Sequence, residues 1–125
     1  MSVNISGATT WFSSCTGSDY GSCGTCRRTD YQCAYQHLAG RSGCYCSCPP
    51  ELACGDCVFV LGVASSCEYS SVNVTIADHG PGACSGCGND CLGYCGRILD
   101  LTPAAFSYIT PLSKGIMTAS IYSPC

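Results

Sequence analysis

Residues 96–106 read Gly-Arg-Ile-Leu-Asp-Leu-Thr-Pro-Ala-Ala-Phe, and this stretch decides the fold. The apolar run Ile98–Leu99 predicts that the backbone enters a buried strand. The pair Thr102–Pro103 predicts a helix start, because the hydroxyl can cap free backbone amides and proline already has a helical φ. We expect the helix to run for about two turns, until Pro111 ends it.

Asp100 stands at this junction of strand and helix, with hydrophobic residues on both sides. A carboxylate in such surroundings has to be solvated in a cleft, hydrogen-bonded, or shifted in pKa. Asp100 is therefore the first candidate for a catalytic residue. The structural alternative is a carboxylate that only fastens a turn or helps to cap the helix.

Length and charge limit the class of protein. A chain of 125 residues predicts a single domain, residues 1–125, with one modest core. Five basic residues against eight acidic ones argue against a nucleic-acid partner, which needs a basic face. The sequence has no run of about twenty apolar residues, so no membrane span is expected. The segment Met1–Ser6 lacks the apolar stretch of a signal peptide, and we interpret it as the start of a mature region with an added methionine, or of an excised domain, in a secreted, extracellular protein.

Fifteen cysteines indicate a disulfide-linked secreted protein. Zinc is the alternative, because Cys23-x-x-Cys26, Cys54-x-x-Cys57 and Cys84-x-x-Cys87 have the spacing of zinc knuckles. The other cysteines fit no four-ligand grouping, so disulfides are favoured and neither a metal nor a cofactor is expected. The candidate disulfide cysteines are Cys15, Cys23, Cys26, Cys33, Cys44, Cys46, Cys48, Cys54, Cys57, Cys67, Cys84, Cys87, Cys91 and Cys95.

The odd cysteine count leaves at least one cysteine without an intramolecular partner. Cys125 is the first candidate, because a chain end is exposed and mobile, and it could form a disulfide to another chain. Two Asn-x-Ser/Thr sequons, at Asn4 and Asn73, are candidate glycosylation sites of a secreted protein.

Hydrophobic patterning predicts a mainly β domain. Residues 8–14 are rich in β-formers, and the apolar run 57–63 is typical of a strand buried on both faces. Apolar and polar residues alternate over 72–77 and over 117–121, which predicts strands with one exposed face. Residues 27–50 show no period and predict a long irregular binding loop, ordered by disulfides.

Several segments resemble, in order, the first domain of expansins and the wider barwin-like and RlpA-like group. The resembling segments are Ala8–Phe12, Gly21–Gly24, Ala53–Val60 with its Cys-Gly-x-Cys motif, Val72–Pro81, Ile98–Phe106 and Gly115–Tyr122. Val72–Pro81 is similar to the RlpA-like Asn-Asp-Arg-Gly-Pro, and Ile98–Phe106 to His-Phe-Asp-Leu-Ser-x-x-Ala-Phe. The resemblance implies a six-stranded double-psi β-barrel with one or two short helices and disulfide-linked loops. It leaves out a cysteine-rich insert at about 33–50.

The resemblance also implies a role for Asp100. In the related family-45 glycoside hydrolases the matching aspartate is the general acid, and a second aspartate on the first strand is the base. Here Ser14 occupies the position of the base, and serine does not accept a proton usefully near neutral pH. Asp19, Asp30 and Asp56 are the candidate replacements.

Three functions follow from this pattern. The favoured one is an expansin-like module that binds polysaccharide of the β-glucan or peptidoglycan class in a cell wall or matrix without hydrolysing it. The second is an enzyme, a family-45-like endoglucanase or a lytic transglycosylase, with Asp100 as general acid. The third is a disulfide-linked structural, defence or inhibitor protein that uses the barrel as a rigid scaffold.

Further site residues are expected from the same motifs. The resemblance places Asp78 in the groove beside Asp100, and His79 could titrate near neutral pH and assist. The structural alternative is that Asp78 caps the turn that follows it. The candidate sugar-stacking residues are Trp11, Tyr31, Tyr35 and Tyr45, because aromatic rings pack against the C–H faces of pyranoses.

Overall fold

Six strands close into a β-barrel in the structure, a computed structural model that describes residues 3–13, 15, 20–35, 37–40, 50–65, 67–80 and 97–125. The strands are β1 (Val3–Trp11), β2 (Gln32–Tyr35), β3 (Cys57–Ser65), β4 (Glu68–His79), β5 (Arg97–Leu101) and β6 (Ile116–Ser123). Their order around the barrel is β1-β5-β2-β4-β3-β6. β1 and β5 are parallel, as are β2 and β4, and the other neighbours are antiparallel. The predicted mainly β barrel is confirmed.

The junction that opens the sequence folds as predicted. Leu101 ends β5, and helix α1 (Pro103–Ile109) begins two residues later. The Thr102 hydroxyl accepts a hydrogen bond from the Ala105 backbone amide at 3.4 Å and so caps the helix. The buried side of α1 packs on the barrel through Ala105, Phe106 and Ile109. A short 3-10 helix, Leu112–Lys114, leads on to β6.

β3 differs from its prediction as a strand buried on both faces. Val58 and Val60 are fully buried, whereas Phe59 and Leu61, which alternate with them, are only half-buried. The apolar run therefore serves an inner face and a partly open outer face of the barrel. β4 and β6 alternate in the same way, as expected from their patterns.

β2 was not predicted, and it lies where the cysteine-rich insert was expected to begin. Its four residues are all buried, and the strand pairs with β4 on one side and β5 on the other. The insert therefore does not begin at residue 33, because residues 32–35 are part of the barrel. Most of the remaining insert, residues 41–49, lies outside the described residues.

Three disulfides are present among the described residues: Cys15–Cys26, Cys23–Cys54 and Cys57–Cys125. They exclude the zinc-knuckle alternative for Cys23, Cys26, Cys54 and Cys57, and they are typical of proteins from oxidising, extracellular surroundings. Cys67 is exposed just before β4. Seven candidate cysteines lie outside the described residues, namely Cys44, Cys46, Cys48, Cys84, Cys87, Cys91 and Cys95.

Cys125 is not the cysteine without an intramolecular partner, and that prediction is wrong. β6 pairs with β3 in antiparallel register, so the end of the chain returns to Cys57, where the Ser123 hydroxyl also donates to the Cys57 carbonyl at 2.6 Å. Cys33, predicted to form a disulfide, is instead a free and fully buried thiol on β2. In the part of the chain that the structure describes, no helix is long and apolar enough to cross a membrane.

Candidate functional site

Asp100 and Asp78 lie in one row across the barrel, on the two sides of β2. Asp100 on β5 and Asp78 on β4 are both register partners of Ala34. On the far side of β5, Asp100 is opposite Thr10 of β1. The backbones of the two aspartates are therefore two strand spacings apart, about 10 Å.

Asp100 is half-buried, and its Oδ1 accepts a hydrogen bond from the Thr10 hydroxyl. The carboxylate is therefore neither enclosed nor bound by backbone amides at this oxygen, which leaves it open to a chemical role. Burial raises the pKa of the neighbouring Cys33 thiol, and the charge of Asp100 raises it further. Cys33 thus keeps its proton at neutral pH and is not a nucleophile.

Asp78 is 1% exposed, so its predicted place in an open groove is wrong. Its Oδ1 accepts hydrogen bonds from the backbone amides of Ser22 at 2.9 Å and His79 at 2.8 Å. The turn at Gly21 lies directly over the carboxylate, since a Cβ on Gly21 would be 2.9 Å from the Asp78 Cγ. Asp78 therefore has a structural role, but it ties the turn at Gly21 to β4 rather than capping the turn that follows it. His79 is half-buried at the end of β4.

Neither a metal site nor a replacement base is assembled from the described carboxylates. The ligand atoms of Cys15, Cys26 and Asp78 lie within 4.8 Å of one another, but the two sulfurs are joined in a disulfide and offer no thiolate. Asp56 accepts a hydrogen bond from the Ala53 amide at 2.8 Å, and Asp30 is exposed before β2. Ser14 and Asp19 lie outside the described residues.

The four candidate stacking residues have different positions. Tyr35 is fully buried, its pKa is raised by burial and then by Cys33, and its hydroxyl donates to the Pro50 carbonyl at 2.7 Å. The prediction that Tyr35 stacks on a sugar is therefore wrong. Trp11 packs against the core and donates from Nε1 to the Leu112 carbonyl at 3.0 Å. Tyr45 lies outside the described residues, whereas Tyr31 is 48% exposed.

Tyr31 belongs to a surface groove of about 330 Å³, which we call the aromatic groove and define by Tyr31, Phe59, Ser71, Asn73 and Tyr108. Tyr31 and Tyr108 meet edge to face, with ring centroids 5.7 Å apart and an interplanar angle of 64°. Tyr108 projects from α1 and is 57% exposed. Rings, a hydroxyl and a carboxamide therefore share one open surface.

Tyr108 and Phe59 were missed as site residues. Tyr108 does not belong to the buried side of α1, and Phe59 lies between the buried Val58 and Val60, so both could have been assigned to the surface. The sequence does not show how β3, β4 and the segment before β2 pair with one another. That pairing brings Tyr108 and Phe59 together with Tyr31.

The aromatic groove is separate from the row of aspartates. Asn73 precedes Asp78 by five residues on β4, which is about 16 Å along an extended strand. A second groove, of about 440 Å³, is larger but mostly apolar, and Gly7, Val63, Lys114 and Ile116 are among the residues that line it. It brings together neither aromatic rings nor carboxylates.

No protein-family model matches the chain, and a search of curated proteins finds no match. Among solved structures the chain is similar to the Streptomyces papain inhibitor (SPI), with 19% identity over 95% of this chain and 91% of that one and a TM-score of 0.49. Similarity at this level gives no information about function. The resemblance to expansin-like and RlpA-like domains stays a prediction.

Proposed function

We propose that the protein binds polysaccharide through the aromatic groove and does not hydrolyse it. The observation that carries the proposal is the pair Tyr31–Tyr108, two tyrosines that are about half exposed and held edge to face beside Phe59 and Asn73. Large aromatic rings held open to solvent in a concave site are typical of ligand binding.

The chemistry of the groove matches a sugar. Pyranose rings present C–H groups on their faces and hydroxyls at their edges, so they need both apolar rings and hydrogen-bonding groups. Tyr31, Tyr108 and Phe59 supply the rings, while Ser71 and Asn73 supply a hydroxyl and an amide that donate and accept hydrogen bonds. None of the described residues that line this groove is charged, which favours a neutral glycan.

The positions of the described carboxylates support binding without turnover. Glycoside hydrolysis usually needs two carboxyl groups on the two sides of the scissile bond. Asp78 is enclosed, and Asp100 lies in the same row as Asp78, away from the groove. Among the residues that the structure describes, no pair of carboxylates therefore flanks a sugar bound on Tyr31 and Tyr108.

The test is affinity electrophoresis of the intact, oxidised protein in gels that contain soluble β-glucan, xylan, chitin fragments or peptidoglycan fragments. Tyr31→Ala and Tyr108→Ala should each weaken binding about tenfold, because each removes one stacking ring. Tyr69→Ala is the matched control, since Tyr69 is 68% exposed on β4 but lies outside the groove. Unchanged binding by both groove variants would refute the proposal.

An enzyme assay accompanies the binding assay. Wild type and Asp100→Asn should bind equally and release no reducing ends over a long incubation. Turnover that Asp100→Asn abolishes would mean that Asp100 acts as a general acid, and the enzyme alternative would replace the proposal.

A second candidate function, protease inhibition, is favoured by one specific observation: the loop around Cys26 is exposed and held rigidly. The buried Gln32 side chain accepts from the Arg27 amide at 2.6 Å and donates to the Thr25 carbonyl at 2.8 Å. Disulfides hold Cys23 and Cys26, while Arg27, Arg28 and Thr29 stay exposed. A loop fixed in advance loses little conformational entropy on binding, which is what an inhibitory loop needs.

The candidate is tested with a panel of cysteine and serine proteases that includes papain, the protease in the name of the structural neighbour. Protease inhibition would be established if wild type inhibits a protease, the loop stays uncleaved, and Gln32→Ala weakens the inhibition. Cleavage of the loop at Arg27 or Arg28 without inhibition would exclude it.

A further inference from the structure

The outer face of the barrel continues the aromatic groove into a longer row. The register aligns Asn73 of β4 with Phe59 of β3, Phe59 with Tyr122 of β6, and Tyr122 with Asn4 of β1. All four belong to the outward-facing set of their strands: the two asparagines are exposed, and the two rings are half-buried. The Phe59 and Tyr122 centroids are 6.0 Å apart.

A second row, of three serines and Leu61, lies beside this row of rings. Two residues along each strand, the register aligns Ser71, Leu61, Ser120 and Ser6, again on the outer face. Ser6 and Ser120 share a hydrogen bond of 2.7 Å between their hydroxyls. We call the two rows together the outer strip. It places hydrogen-bonding groups along one edge of a line of rings.

The outer strip is convex. It crosses β4, β3, β6 and β1, four neighbouring strands of a closed six-strand barrel, and so follows half of the circumference. Its two ends, Asn73 and Asn4, are three strand spacings apart, about 14 Å measured across the strands. A flat or rigid surface can touch such a strip along only one strand or two, whereas a flexible chain can follow it.

We propose that the outer strip extends the sugar-binding surface, and that the ligand is an internal stretch of a flexible, soluble glycan chain rather than a chain end or a crystalline face. This inference rests on the proposed function, because the strip begins at Phe59 and Asn73 of the aromatic groove. The first sugars of the bound stretch lie on Tyr31 and Tyr108, and the next ones lie on Phe59 and Tyr122, with hydroxyls directed at Ser71 and Ser120.

The experiment measures affinity for oligosaccharides of increasing length, from two sugars to eight, taken from the soluble glycan that wild type binds best. The protein is intact and oxidised, and mass spectrometry of Asn4 and Asn73 comes first, because a glycan attached to either sequon would cover the strip and overturn the inference. Affinity should continue to rise with oligosaccharide length after the oligosaccharide is long enough to fill the aromatic groove. Tyr122→Ala should weaken binding of the long chains about fivefold and leave the shortest ones unchanged.

Two controls keep the result specific to the ring of Tyr122. Tyr122→Phe keeps the ring and should bind like wild type, which separates loss of stacking from damage to the barrel. Tyr69→Ala changes an exposed tyrosine outside the strip and should have no effect. Soluble chains should also compete for the protein at least tenfold better than a crystalline form of the same glycan.

The outcomes distinguish the two proposals. If Tyr31→Ala weakens binding but Tyr122→Ala does not at any length, the groove stands and the outer strip is refuted. If neither variant changes binding, the proposed function fails as well. Preference for the crystalline glycan would overturn the inference. Concentration-dependent dimerisation that Tyr122→Ala abolishes would also overturn it, because the strip would then be a contact between two copies of the protein.

Discussion

Replacing Thr9 by valine should make the protein more stable. Thr9 is fully buried on β1, opposite Leu99 and Met117, and its hydroxyl has no hydrogen-bond partner among the described residues. A buried hydroxyl without a partner costs about 1–3 kcal/mol. Valine has the same branched shape with a methyl group in place of the hydroxyl, so the unfolding free energy should rise by about 1–2 kcal/mol.

Thr10→Val is the matched control, because Thr10 is the next residue on β1 and its hydroxyl donates to Asp100. A hydrogen bond to a charged group contributes about 1.5–3 kcal/mol, so this variant should lose stability. Urea unfolding in non-reducing buffer at pH 7 measures both changes through the fluorescence of Trp11, the only tryptophan in the chain. If Thr9→Val loses as much stability as Thr10→Val, the Thr9 hydroxyl does have a partner and the reasoning is wrong.

Gly21→Ala should cost more than about 2 kcal/mol, because its φ of +69° disfavours a side chain and the new Cβ would lie 2.9 Å from the Asp78 Cγ. Gly24→Ala, with a φ of +76° and open space around it, should cost only about 1 kcal/mol in the same urea assay, and equal losses would contradict the contact argument. Replacing Cys57 and Cys125 together by serine should lower the unfolding free energy by about 4 kcal/mol, because their bridge spans a sequence separation of 68, and an unshifted urea midpoint would count against this. Because burial raises the pKa of Cys33, the native state keeps a proton that the unfolded state loses above about pH 8.5, so stability falls as the pH rises. Thermal melts at pH 7.5 and 9.5 should show wild type losing about 1.4 kcal/mol more than Cys33→Ala, and a parallel loss in both proteins would refute this assignment.

The junction of β5 and α1 could be predicted because its signals are local. Ile98–Leu99 marks a buried strand, and Thr102–Pro103 marks a helix start within a few residues of it. The alternation in β4 and β6 is local in the same sense, since each strand shows one face to the core. These elements needed no knowledge of their neighbours.

β2 could not be predicted in this way. Its four residues are buried on both sides and so carry no period, and the strand is defined by pairing with β4 and β5, which are distant in sequence. The errors over Cys33 and Tyr35 have the same origin, because both lie on this strand. A buried thiol and a buried tyrosine look in sequence like a disulfide cysteine and a surface ring.

The candidate site could not be predicted from local sequence, because it depends on the register between strands and on the positions of loops. Asp78 was assigned to an open groove from its own motif, but the turn at Gly21, 57 residues earlier, closes over it. The aromatic groove and the outer strip depend on which residues of β3, β4 and β6 lie opposite one another. Alternation assigns Phe59 and Tyr122 to the outer face, but only the register makes them neighbours.

The three disulfides also determine how the chain would respond to mechanical tension. Through these three described disulfides, a covalent route from Val3 to Cys125 runs to Cys15, crosses to Cys26, returns to Cys23, crosses to Cys54, and reaches Cys125 through Cys57. That route contains about 22 residues and three disulfide crossings, so the oxidised chain can span at most about 80 Å between those two points, against about 400 Å after reduction. β2, β4, β5 and β6 lie off the route. A force between the two ends therefore bypasses most of the barrel until a reductant transfers the load to it.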